Sequence, residues 1–144
     1  MENEDTIKLL RECSAGVKMG VSTIDEMLPH IKNPKFKDVL YSSKTTHEKL
    51  YSEISEYLHK YDVEKKDPPV IASSMAKMKA KMEVAMHDSD KTIADIITDG
   101  CNTGVKSLTR YLNEYGTANE NVRHIAKRLI DSEEKLIESM KDYL

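Results

Sequence analysis

Apolar residues recur at intervals of three and four along most of the chain, and breaks in that rhythm divide it into five helical stretches. The first carries Ile7, Leu10, Val17, Val21, Ile24, Leu28 and Ile31, with Ser14 where an apolar residue is expected. Asn3 or Asp5 can cap its start, and Pro29 must kink or end it, because its ring clashes with the preceding turn and offers no amide proton. Asn33-Pro34 supplies a cap and a first residue for the second stretch. There Phe36, Val39, Leu40, Leu50, Ile54, Tyr57 and Tyr61 share a face, while Ser43, Thr46 and His47 make its middle polar. The aperiodic, charged run from Asp62 to Asp67 reads as a connection, and Asp67-Pro68 opens a third stretch with Ile71, Met75, Met78, Met82 and Met86.

His87-Asp88-Ser89-Asp90 predicts a break, since short polar side chains can cap a new helix there; one bent helix over 70–115 is the competing reading. The fourth stretch carries Ile93, Ile97, Cys101, Val105, Leu108, Leu112 and Tyr115 and stops at Gly116. Thr117-x-x-Glu120 has the form of a capping box for the fifth. Its stripe is Val122, Ile125, Leu129, Leu136, Met140 and Tyr143, interrupted by Ser132 and Glu133.

Two of these stretches share a motif. Cys13-Ser14-Ala15-Gly16-Val17-Lys18 returns as Cys101-Asn102-Thr103-Gly104-Val105-Lys106, an offset of 88 positions (101 − 13). Laying the second stretch on the fifth at an offset of 86 (133 − 47) puts Val39 on Ile125, Leu50 on Leu136, Ile54 on Met140 and Tyr57 on Tyr143. The expectation is one domain, 1–144, made of a hairpin over 3–62, a crossover helix over 68–87 and a second hairpin over 90–144. A crossover of about 18 residues spans about 27 Å, enough to return the chain to the other end of a bundle. Gly16-x-x-x-Gly20 and Gly100-x-x-x-Gly104 suggest that the first and fourth helices cross closely, because a glycine inside a helix costs about 1 kcal/mol against alanine.

Composition narrows the field. Charged residues make up 33% of the 144, with a net charge of −3 and both signs interspersed, which reads as solvated helix surface rather than a nucleic-acid footprint. The acidic start and the lack of any apolar run of about 18 residues give no reason to expect a signal or a membrane span, so a cytoplasmic location is expected. Two cysteines in such a chain read as reduced thiols. The absence of Trp and the plenty of Met, Leu, Ile, Lys and Glu agree with an all-α fold.

The early Cys-x-x-Gly segment, Asn33-Pro34-x-Phe36-Lys37, Thr92-Ile93-Ala94 and Asp99-Gly100 resemble small bacterial ferritin-like four-helix-bundle proteins of uncharacterised function. That resemblance implies an up-and-down bundle of two pseudo-repeated hairpins, and no established chemistry. A ferritin-type di-iron site needs inward carboxylates and a Glu-x-x-His pair on each of two helices. At the matching depth this chain offers Ser43, Thr46, His47, Ser132 and Glu133, and thiols and glycines on the other two helices, so an iron oxidase is not expected. Cys13, His47, Cys101 and Glu133 could instead meet at mid-bundle, one per helix, as a zinc site; the simpler reading makes His47 and Glu133 hydrogen-bonded core residues. No cofactor is expected on that reading.

Two functions remain open: a non-catalytic interaction or structural protein, self-associating or binding a protein partner through an apolar helix face, and a thiol- or metal-dependent protein using the mid-bundle residues. The methionine stripe reads as core or as a homodimer contact.

Overall fold

A computed structural model describes residues 3–63 and 89–144. Asn3 begins the first helix, α1 (Glu4–Met27), by accepting the Thr6 amide on its side chain at 2.8 Å, and Glu4 and Asp5 place negative charge at the positive end of the helix dipole. Pro29 stops α1 as expected, within a short 3-10 turn over Leu28–His30. Asn33 then caps α2 (Pro34–Lys60) through the Lys35 amide at 2.9 Å, with Pro34 at its first position. The third helix described, α3 (Asp90–Glu114), follows Ser89, whose extended backbone (φ −79, ψ 168) ends any helical run approaching from before it. The bent-helix alternative therefore fails at Ser89. The fourth is α4 (Glu120–Met140). The crossover helix expected over 68–87, with its methionine stripe, lies outside the described residues.

Two local expectations need correction. Asn119, not Thr117, caps α4, accepting the Val122 amide at 2.9 Å. Thr117 is drawn away because its amide and hydroxyl both donate to Asp5, at 3.1 and 2.6 Å. Asp90 does not cap its own helix; its two carboxylate oxygens accept the Lys32 and Asn33 amides, each at 2.9 Å.

These contacts fix the helix directions. At one end the start of α1 is tied to the α3–α4 loop: Asn3 donates to the Thr117 carbonyl, the Thr6 hydroxyl accepts the Asn119 amide, and Asn119 reaches Tyr61 at the end of α2. At the other end Asp90 ties the start of α3 to the α1–α2 loop. Helices α1 and α4 thus run one way, α2 and α3 the other, and α2 ends where α3 does not begin. Among the described residues all regular structure is helical, arranged as a four-helix bundle.

The core falls into two clusters, one toward each end. Ile24, Phe36, Leu40, Ile93, Ile97, Cys101, Leu136 and Met140 fill the first. Leu9, Cys13, Val17, Leu50, Ile54, Leu112, Val122 and Leu129 belong to the second. On α2 and α4 the apolar stripe changes cluster on either side of His47 and Glu133.

Candidate site at the polar layer of the bundle

His47 is a polar residue buried as core: it lies between Leu40 and Leu50 on the inner face of α2, with 1% of its surface exposed. Its Nδ1 lies 2.8 Å from the Ser43 carbonyl oxygen, one turn earlier. A carbonyl can only accept, so Nδ1 must carry a proton. Its Nε2 lies 2.7 Å from Oε1 of Glu133 on α4. Burial opposes a charge on this ring, but the Glu133 carboxylate and the Ser43 carbonyl outweigh it and raise its pKa above the usual 6.5. The pair is a proton-bridged link between two helices.

The glycines shape this layer. A Cβ on Gly20 would lie 3.0 Å from Cδ2 and 3.1 Å from Nε2 of His47, whereas one on Gly104 would meet Glu133 Oε2 at 3.6 Å and one on Gly16 would meet Leu129 at 3.8 Å. The nearest neighbours of these three glycines are side chains of α2 and α4, so Gly20 leaves room for His47 and Gly104 for Glu133. Gly100 is half-buried one turn before Gly104.

The contacts at Gly20 and Gly16 separate two substitutions by sign. Gly16→Ala gains helix propensity at ordinary contact distance and should stabilise by about 0.5–1 kcal/mol. Gly20→Ala pushes on a ring held at both nitrogens and should destabilise by about 1–2 kcal/mol, as overpacking does. Urea unfolding of the two variants reads both signs.

The four candidate metal ligands do not share one place. Cys101 lies beside Glu133, and burial together with that carboxylate drives its thiol pKa upward. Cys13 sits in the other core cluster, where burial and Glu12 push its thiol up to about 12. Both cysteines are free and buried, which makes them inert thiols. Among the described residues no group of three or more His, Cys, Asp or Glu side chains is placed to hold a metal ion. A Glu-x-x-His spacing does occur, at Glu56 and His59, but both residues are exposed near the end of α2 rather than turned into the bundle.

Ser43, His47 and Glu133 also have the order of a nucleophile, base and acid, with the Ser43 hydroxyl 3.4 Å from Nδ1. That reading fails on the proton count. Nδ1 gives its hydrogen to the Ser43 carbonyl and has no lone pair with which to activate the hydroxyl.

Outside this layer, α2 and α4 border a groove of about 620 Å³ that includes Ser43, Thr46, Lys49, Leu50, Ser132, Lys135 and Leu136. Arg128, also on the groove, is engaged by Glu53 at 2.8 Å. No protein-family model, curated protein or solved structure matches the chain. Among the described residues no helix is long and apolar enough to cross a membrane, and the large apolar side chains exposed are Tyr41 and Leu144.

The raised His47 pKa carries a pH dependence of stability. The unfolded ring loses its proton near 6.5 and the folded ring later, so this contribution is complete below that value and is lost as pH rises through the folded pKa. Glu53, held below the usual carboxylate range by Arg128, acts oppositely: its contribution is lost as pH falls through its folded pKa. Urea midpoints measured across pH should decline on the alkaline side, and that decline should shrink in Glu133→Gln to the part owed to the buried thiols.

Proposed function

We propose that the protein is a ferritin-like four-helix bundle that acts by binding, to a second copy of itself or to a protein partner, and carries out no catalysis. The observation that carries this reading is the commitment of both His47 nitrogens inside the bundle. The side chain best able to move protons is consumed in joining α2 to α4, and the thiols are buried with raised pKa values.

The ferritin-like part rests on the internal repeat. A two-fold axis across the bundle, passing through the polar layer, would exchange its ends, and the two core clusters exchange in that manner. The offset of 88 sends Cys13 of one cluster to Cys101 of the other, and Ile24 to Leu112. The offset of 86 likewise sends Phe36 to Val122, Leu50 to Leu136 and Ile54 to Met140. His47 and Glu133, the residues that offset superposes, are hydrogen-bonded to each other, as equivalent residues beside a two-fold axis would be. The same symmetry explains why the two thiols are apart: related residues off the axis fall in opposite halves.

The zinc or thiol alternative draws less support, because Cys13 belongs to the far cluster while Cys101 neighbours Glu133. Light scattering over a range of concentrations, with zinc analysis of the same sample, tests the reading. Concentration-dependent association that survives Cys13→Ala/Cys101→Ala is expected. A strictly monomeric protein with stoichiometric zinc, lost on those substitutions, would overturn it.

A further inference from the structure

We propose that the groove between α2 and α4 binds a small dianion, seated between Lys49 and Lys135. The groove's 620 Å³ falls within the range of small-molecule sites. Its middle is built in matched pairs. The 86-residue offset relates Thr46 to Ser132, Lys49 to Lys135 and Leu50 to Leu136, and all six line the groove. Leu50 and Leu136 are buried and provide an apolar base, while the two lysines are exposed at the sides.

Neither lysine's ammonium group makes an ion pair or hydrogen bond with another described residue, in contrast to the Arg128 guanidinium, which Glu53 holds. Two uncommitted ammonium groups stand on facing helices and attract negative charge, in a groove that also carries Asp38 and Asp131. A ligand with two negative charges satisfies both at once; a monoanion satisfies one. Ser132 adds a hydroxyl free to donate to an oxyanion. Asp38 and Asp131, the latter one helical turn from Lys135, lie on the same groove, oppose the ligand and limit its affinity.

The chemistry is common to phosphate monoesters and dicarboxylates. The inference rests on the protein's being a binding module, but its test is separate from the light-scattering test of association. Isotope-labelled full-length protein would be titrated near neutral pH with glycerol phosphate, succinate and acetate while amide resonances are followed. Both dianions should shift the amides around Thr46 and Ser132, and should bind at least about tenfold more tightly than acetate. Preference for one dianion identifies the source. Lys49→Ala/Lys135→Ala, at exposed positions that leave the core intact, should abolish the shifts, and Asp131→Asn should strengthen binding. Absence of shifts with either dianion up to about ten millimolar, equal response to acetate, or shifts that persist in the double-lysine variant would each overturn the proposal.

Discussion

Glu133→Ala is expected to destabilise the protein by about 3–5 kcal/mol, the range for removing one partner of a buried charged pair. Three costs arise together. Nε2 of His47 loses its partner at 2.7 Å, in a position with 1% exposure where water cannot easily replace it. The ring still carries its Nδ1 proton toward Ser43, so it cannot turn to find another acceptor without giving up that bond. The space between Glu133 and Gly104, where the carboxylate lies within 4 Å of the position a Cβ would take, is emptied as well. Glu133→Gln is the discriminating control. A glutamine amide can donate to a neutral Nε2, so the bridge survives without its charge, and the expected cost falls to about 1 kcal/mol. Urea unfolding of the two variants at neutral pH gives both numbers; equal costs would mean that packing alone, and not the bridge, supports this layer.

Phe36→Ala should cost about 3–5 kcal/mol, the usual range for truncating a fully buried aromatic. Phe36 has no exposed surface, and its ring stacks on Tyr143 with centroids 4.5 Å apart and planes 13° from parallel. The loss therefore reaches beyond a cavity among Leu40, Ile93 and Met140, because Tyr143 loses the surface that holds the last residues of the chain against the bundle. At a few degrees per kcal/mol for a chain of this length, the midpoint of thermal unfolding should fall by about 10 °C. Tyr143 fluorescence should change with it. A fall of only a degree or two would mean that the cluster collapses to fill the space.

The helices were legible in the chain because their apolar spacing is regular and their starts carry Asn or Asn-Pro signals: Asn3 and Asn33 cap as read. What failed was long-range. Thr117 has every local qualification to cap α4, yet Asp5, 112 residues away, takes both its donors. Asp90 looks like a cap for its own helix and instead binds the amides ahead of α2. No local pattern contains those partners.

The polar layer was half legible. His47 and Glu133 stood out as breaks in two apolar stripes, and their likeness in position was visible in the 86-residue offset. That they touch one another follows only if the offset expresses a two-fold axis running between them. The glycines signal close approach, but spacing cannot say which side chain approaches: at Gly20 the nearest is the imidazole of His47. Cys13 and Cys101 share a motif, and shared sequence suggested shared location. They lie instead in different core clusters.

The bridge between His47 and Glu133 holds the middle of the bundle, and nuclear magnetic resonance of the His47 ring nitrogens against pH tests it most directly. Nδ1 should be protonated throughout, and Nε2 should release its proton in a single step at a pH above 6.5. A ring that loses its charge at or below that value, or one whose Nδ1 bears no hydrogen, would contradict the bridge and the stabilities derived from it.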